Sequence, residues 1–294
     1  MELCDINKIK YILEKHGFRF SKSLGQNFLI EPKVPQKIAE LSGIDKDTNV
    51  IEVGPGIGAL TTELCRRAGK VVAVEIDKRL IPVLEETLSE FDNLVIENDD
   101  ILKTDIAKLT SKNFINDKII ACANLPYYIT TPAITKLIDS DIFDSITVMV
   151  QKEVARRMVA KAGTPEYGAF TVYVNYYTEP KILFDVPAGC FVPRPKVDSS
   201  VIRLDRRRVA PADVHDKEMF FRVVKAAFGQ RRKTLINALD TVFGKELSKK
   251  QIEKIVFSCG LDTKIRGEKL TIGDFATISN IFNNMIGEYM DKKS

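Results

Sequence analysis

Between Asn49 and Val150, short apolar runs alternate with longer amphipathic ones, and this alternation leaves the chain few folds. Asn49–Val53, Val71–Glu75, Leu94–Glu97, Lys118–Ala123 and Ser145–Val150 read as strands. Ala59–Ala68, Arg79–Glu90 and Thr131–Ser140 read as helices between them. Near-continuous apolar strands separated by helices predict a mostly parallel sheet covered on both faces. Such a sheet binds ligands beyond the carboxyl ends of its strands, near the point where strand order reverses. The residues at those ends therefore carry the functional reading.

Four successive strands end in glycine or a polar group. The first runs into Gly54-Pro-Gly56-Ile-Gly58. That turn removes side chains where a ligand must lie against backbone, and the helix after it offers its first amides. The second ends at Glu75, 21 residues after Gly54, placed to accept from both hydroxyls of a ribose. The third is followed by Asp99 and Asp100; Asp100, with Ile101-Leu102 behind it, suits an adenine amino group. The fourth ends at Asn124-Leu125-Pro126-Tyr127. A proline cannot continue a central ladder, and it pushes Leu125 toward extended backbone, which leaves the Leu125 carbonyl without a helical partner. An amide oxygen, a backbone carbonyl and a flat ring then meet at one strand end. That set suits a planar molecule bearing an NH2 group.

The first two ends do not separate cofactors. Gly54-x-Gly56-x-x-Ala59 with an acid about 20 residues on fits NAD and a nicotinamide-dependent dehydrogenase as well. The last two ends favour an adenosyl methyl donor, S-adenosylmethionine, because no hydride-transfer acid or substrate arginine stands beside Asn124. Any one of these residues taken alone reads more simply as a cap or turn residue; the four together carry the site.

The remaining segments set the organisation. Ile6, Ile9, Ile12 and Leu13 have helical spacing, residues 21–29 are polar and irregular, and a helix is expected from Pro32 to Leu41. Ala169–Tyr177 suits a strand by propensity and a helix by the spacing of Phe170, Val174 and Tyr177. Lys181–Val186 and Ser200–Leu204 read as strands joined by a proline-rich loop. After Arg208 the pattern is helical, over Met219–Phe228, Arg232–Val242, Lys249–Ser258 and Thr271–Met290. The expected domains are 1–207 and 208–294.

Composition narrows the setting. Five widely spaced cysteines without a CxxC pair, and only two histidines, argue against a zinc site or a disulfide framework and for a reducing compartment. The absence of an apolar run of about 20 residues or a signal-peptide core points to a cytoplasmic protein. From Arg203 to Lys233 ten Arg/Lys face four Asp/Glu, an excess larger than the +4 of the whole chain. A basic stretch on a near-neutral body suggests a surface for a polyanion.

Ser23-Leu-Gly-Gln-Asn-Phe-Leu29, Glu52-Val-Gly-Pro-Gly56, Glu75-Ile-Asp77, Asn124-Leu-Pro-Tyr127 and Phe191-Val-Pro-Arg-Pro-Lys-Val-Asp-Ser-Ser200, in this order, resemble the ribosomal RNA adenine N6-dimethyltransferase family, and most of all its small-subunit branch. The resemblance implies an α/β fold: a Rossmann-like, seven-stranded class I methyltransferase sheet with its last strand antiparallel, followed by a small all-helical C-terminal domain. It makes Ala169–Tyr177 a helix. It implies that Asn27 and Leu29 close over the methionine end of S-adenosylmethionine, and that Gly54 contacts the cofactor through backbone. Glu75 would hold the ribose, Asp100 the adenine, and Ile76 and Ile101 would flank the ring, with Asn124 reaching cofactor and target alike.

Asn124 Oδ1 and the Leu125 carbonyl would accept from the target N6 amine. They would draw its lone pair out of conjugation with the ring, so that no strong general base is needed. Tyr127 and Phe191 would stack on the flipped base. Arg194, Lys196, Arg206–Arg208, Arg222, Lys225 and Arg231–Lys233 are candidates for phosphate contacts. The expected partner is small-subunit ribosomal RNA in a partly assembled subunit, met by a monomer. Two rivals stand beside this reading: a large-subunit RNA adenine methyltransferase that confers antibiotic resistance, and an assembly factor whose catalysis is secondary.

Overall fold

The apolar runs become strands, and those at Asn49–Val53, Ile119–Ala123 and Ser145–Val150 are buried at every position. In a computed structural model that describes residues 3–18, 25–115 and 118–291, the strands are β1 (Phe28–Leu29), β2 (Asn49–Val53), β3 (Lys70–Val74), β4 (Leu94–Glu97), β5 (Ile119–Asn124), β6 (Ser145–Gln151), β7 (Thr178–Val186), β8 (Phe191–Val192) and β9 (Ser199–Arg206). Seven of the described strands form one sheet in the order β4-β3-β2-β5-β6-β9-β7. β2, β3, β4, β5 and β6 pair in parallel, and β9 runs antiparallel to β6. The order reverses between β2 and β5, and their registers, Val53 opposite both Val74 and Ala123, bring three carboxyl ends to one level. Residues 19–24, among them Ser23 and Leu24 of the first motif, lie outside the described residues.

The helices of this part are α1 (Ile6–Lys15), α2 (Lys33–Leu41), α3 (Ala59–Arg67), α4 (Ile81–Thr87), α5 (Ile106–Asn113), α6 (Thr130–Asp139) and α7 (Lys152–Met158). Their caps are written in the sequence. Asp5 accepts from the amides of Asn7 and Lys8 at the start of α1, and Asp105 accepts from that of Lys108 at the start of α5. Ile38 of α2 and Leu64 of α3 are fully buried in a cluster with Val50, Val71 and Ile120 of the sheet. Burial of each such side chain is worth about 1.5–3 kcal/mol. Ile9, Ile12 and Leu13 of α1 join Val83 and Leu84 of α4 and Phe28 in a second cluster.

The chain divides into two compact units, residues 1–155 with 180–206, and residues 156–179 with 207–294. The break after Arg206 falls inside the basic Asp205–Arg208 stretch. Residues 156–179, which the sequence reading groups with the first domain, pack with the second unit. The reason lies in α8 (Ala169–Tyr177), a helix as the resemblance implies: its Val172 and Tyr176 are buried with Phe220, Val224 and Leu239. The other helices of this unit are α9 (Lys217–Gly229), α10 (Leu235–Phe243), α11 (Lys249–Ser258) and α12 (Ile272–Asp291). Phe243 of α10 meets Phe282 of α12 edge-on at 4.8 Å between ring centres. α10 starts at Leu235, so Arg231–Lys233 lie in a turn and not in the helix expected from Arg232. Lys233 N–H donates to the Gln230 carbonyl there. No described helix is long and apolar enough to cross a membrane.

Candidate active site

The carboxyl ends of β2, β3 and β5, the loop after β4 and the segment around β1 enclose a cleft of about 1230 Å³, its open mouth included. Every residue nominated from the sequence for cofactor or target lines it: Asn27, Leu29, Gly54, Glu75, Ile76, Asp100, Ile101, Asn124, Leu125, Tyr127 and Phe191.

Gly54 has φ +70°, a conformation side chains rarely adopt, and a Cβ built there meets no protein atom within 4 Å. Its open side is a cradle for a ligand against backbone. At Gly58 (φ +94°), just before α3, the reason for glycine is different: a Cβ would lie 2.9 Å from Leu88 Cδ2.

Glu75 is only 4% exposed. Its Oε1 accepts from Asp77 N–H at 2.8 Å and its Oε2 from Gly56 N–H at 3.3 Å. Burial outweighs these bonds and raises its pKa from 4.5 to about 6. Each carboxylate oxygen retains acceptor capacity beyond one amide. The two acids after β4 differ in employment. Asp99 closes its own turn, accepting from Thr104 Oγ1 at 2.7 Å and Asp100 N–H at 2.8 Å. Asp100 accepts from Leu102 N–H at 3.0 Å with Oδ1, while its Oδ2 lies 3.7 Å from Lys103 Nζ. Asp100 is thus the less committed of the pair. Ile101 is buried, whereas Ile76 is 49% exposed beside the cleft.

At the end of β5, Asn124 Nδ2 donates to the Asn27 carbonyl at 3.3 Å. Among the described residues, neither Asn124 Oδ1 nor the Leu125 carbonyl takes a hydrogen bond. Two acceptors thus stand ready at one strand end, as the proline after Leu125 leads one to expect. Tyr127 shares a hydrogen bond with Ser199 Oγ at 2.9 Å, which fixes its ring, and burial raises the pKa of its hydroxyl. Phe191 is 3% exposed and pairs with Leu29 across the two-stranded β1–β8 ribbon. No ring contact joins Tyr127 to Phe191 among the described residues, though both line the cleft.

Glu52, Gln26 and Tyr128 also line the cleft, and the sequence does not single them out. Glu52 is 1% exposed, its Oε2 buried without a hydrogen-bond partner, and burial with the nearby Glu75 raises its pKa to about 8. Gln26 Nε2 donates to Asp77 Oδ2 at 2.9 Å. Tyr128 packs on the backbone of Gly25, where a Cβ would lie 3.4 Å from its ring. The only sequence signal for these three is their place inside or beside recognisable motifs.

Of the basic residues, Arg206 pairs with Asp141, Arg207 with Glu179, Arg222 with Glu246 and Arg231 with Glu268. Arg194, Lys196, Arg208, Lys225, Arg232 and Lys233 are exposed, with no ion-pair partner among the described residues.

A parallel sheet of this strand order with an antiparallel β9, and a glycine turn and acids at its successive strand ends, defines a Rossmann-like class I methyltransferase. Residues 17–284 match the family described as ribosomal RNA adenine dimethylase. The chain belongs to that family. It is 51% identical over 276 residues to ribosomal RNA small subunit methyltransferase A of Anoxybacillus flavithermus, covering 92% of this chain and 93% of that one. The corresponding protein of Clostridioides difficile is 48% identical over 281 residues, 95% of this chain and 96% of the other. Among solved structures, a dimethyladenosine transferase from Plasmodium falciparum superposes with a TM-score of 0.75 at 26% identity, over 88% of this chain and 98% of that one. The 23S rRNA methyltransferase ErmE gives 0.66 at 25% identity, over 87% and 99%.

Proposed function

We propose that this enzyme converts two adjacent adenines of small-subunit ribosomal RNA to N6,N6-dimethyladenosine, with S-adenosylmethionine as methyl donor, while the subunit is being assembled in the cytoplasm. The observation that carries the reading is the pair of unengaged acceptors, Asn124 Oδ1 and the Leu125 carbonyl, at the end of β5. An unmethylated exocyclic amine offers two N–H donors to such a pair, and one N–H remains for it after the first transfer. Its lone pair is delocalised into the ring, and two acceptors that bind its protons favour a more pyramidal nitrogen. Neither acceptor is a strong base, so the chain positions the amine rather than deprotonating it beforehand; once N6 has taken the methyl group it is cationic, and it then loses its proton to water.

The cleft suits the donor. The cradle at Gly54 and the two-lobed acceptor Glu75 suit a nucleoside, with Ile76 and Ile101 flanking an adenine and Asp100 accepting from its amino group. When bound, S-adenosylmethionine supplies the electrophilic methyl group. Asn27 and Leu29 cover its methionine end from the segment before α2. Tyr127, fixed by Ser199, and Phe191 hold the flipped base from its two faces. The second unit, with Arg208, Lys225, Arg232 and Lys233 exposed, recognises the RNA context through phosphates, and the protein acts as a monomer.

The test offers purified protein and methyl donor, in separate reactions, to unmodified small subunits and to unmodified large-subunit RNA, with nucleosides quantified by mass spectrometry. Dimethyladenosine from small subunits is the expected result. Product from large-subunit RNA alone would move the enzyme to the resistance branch. Methyl donor binding without any methylated adenosine would leave an assembly factor.

A further inference from the structure

A series of hydrogen bonds crosses the cleft from the cofactor side to the target side. Gly56 N–H and Asp77 N–H donate to the two oxygens of Glu75, at 3.3 and 2.8 Å. Gln26 Nε2 donates to Asp77 Oδ2 at 2.9 Å. The next residue, Asn27, offers its carbonyl to Asn124 Nδ2 at 3.3 Å. Asp77 is buried and rigidly held: Arg79 Nε donates to its Oδ1 at 2.8 Å and Arg79 Nη2 to its Oδ2 at 2.6 Å. Hydrogen bonds between ionised partners are short and strong, so Gln26 binds a fixed acceptor. On its far side the same segment is fixed by β1–β8 pairing and by Ile30 N–H to the Cys190 carbonyl at 2.9 Å. Gly25–Leu29 is therefore tied at both ends, and its middle orients the amide of Asn124.

We propose that Gln26, held by Asp77, is a positioning residue for methyl transfer: it sets the placement of residues 25–29 so that the Asn27 carbonyl keeps the Asn124 amide with Oδ1 available to the target amine. This rests on the role given to Asn124 above. It makes the amide that receives the target amine depend on the same strand end that is proposed to hold the ribose. Alignment for transfer is then completed by the cofactor side of the cleft and not by β5 alone. A residue that only braced the fold would alter stability and leave the turnover of folded enzyme unchanged.

The test uses the full-length enzyme with small subunits and measures kcat, KM for S-adenosylmethionine and thermal midpoint for Gln26→Leu and Gln26→Glu from pH 5.5 to 8. The charged or titratable groups around this position are Asp77, Arg79 and Glu75 beyond β3, and Tyr128 beyond β5. Gln26→Leu is expected to lower kcat by roughly ten- to a hundredfold, the range for a misplaced catalytic group, with the thermal midpoint little changed. Gln26→Glu places a second carboxylate against Asp77 at pH 8 and is expected to be as poor. As pH falls, protonation of the introduced carboxyl restores a donor toward Asp77, and the activity ratio of this variant to wild type is expected to rise several-fold by pH 5.5. Wild-type kcat in Gln26→Leu, or a Gln26→Glu ratio that stays flat with pH, would overturn the proposal. Wild-type enzyme that methylates no adenine at all would instead sink the functional reading on which it rests.

Discussion

Asn124 and Asn27, 97 residues apart in sequence, are joined by a side-chain amide that donates to a backbone carbonyl at 3.3 Å. The bond assigns the two ends of the Asn124 amide: nitrogen toward the segment over the cleft, oxygen left to accept. Asn124→Asp removes the donor and sets a carboxylate against the carbonyl, so the acceptor turns away. Methyl transfer is expected to fall by about 10²–10³, the loss seen when one preorganised hydrogen bond to a reacting group is removed. Single-turnover assays with enzyme in excess over small subunits check this, because they read the transfer step apart from product release.

If Glu75 holds the ribose as proposed, its titration sets a pH limit on cofactor binding. Burial raises its pKa to about 6, so its carboxylate is nearly complete at pH 7.5 and mostly protonated at pH 5.5. The ionised form is the better acceptor for ribose hydroxyls. The dissociation constant for S-adenosylmethionine is therefore expected to rise about fourfold from pH 7.5 to 5.5. Titration calorimetry at the two values reads it directly. Glu75→Gln is expected to bind more weakly and to show no such change.

Glu52 places a pH-dependent load on stability. Its pKa is about 8 when folded, chiefly from burial, against 4.5 for a glutamate carboxyl in water. The folded state holds the proton more tightly than the unfolded chain does. Stability associated with the protonated acid is therefore present below pH 4.5 and is lost as pH rises toward and through 8. The full loss is on the order of several kcal/mol. Glu52→Gln keeps the neutral shape, and its unfolding free energy relative to wild type is expected to grow between pH 5 and 9 in urea titrations. A constant difference over that range would contradict the buried-acid account.

The basic residues separate into two sets. Arg232 is exposed without an ion-pair partner among the described residues, whereas Arg222 holds Glu246 at 2.6 Å and lies over the Phe243 ring at 4.4 Å. Arg232→Ala is expected to weaken RNA binding and reduce the slope of log affinity against log salt by about 1, without changing the thermal midpoint. Arg222→Ala is expected to lower the midpoint instead, and to leave the salt slope nearly unchanged. Filter binding over a salt series, alongside thermal melts, distinguishes the two.

Much of this was legible because sheet geometry turns sequence order into spatial order. Gly54, Glu75, Asp100 and Asn124 each follow an apolar strand, and parallel strands deliver them to one edge without knowledge of any tertiary contact. The pattern of Ala169–Tyr177 itself does not decide its helical state, since β-branched and aromatic residues at mixed spacing suit either state; the family resemblance implies the helix that forms. Its membership of the second unit was not legible either, because Val172 and Tyr176 are equally apolar whichever core receives them. The Gln26–Asp77 bond was hidden for a related reason: a polar pair 51 residues apart leaves no periodic trace. Glu52 sits inside a recognisable motif, but only the packing shows that its carboxyl is buried without a hydrogen-bond partner.

The most direct test of the account is the yield of N6,N6-dimethyladenosine, by nucleoside mass spectrometry, from unmodified small subunits treated with wild-type enzyme and with Asn124→Ala. Dimethyladenosine from the wild type, and almost none from a folded Asn124→Ala protein that still binds S-adenosylmethionine, is the expected outcome. Equal yields from the two proteins would show that the end of β5 does not hold the target amine, and would contradict the mechanism at its centre.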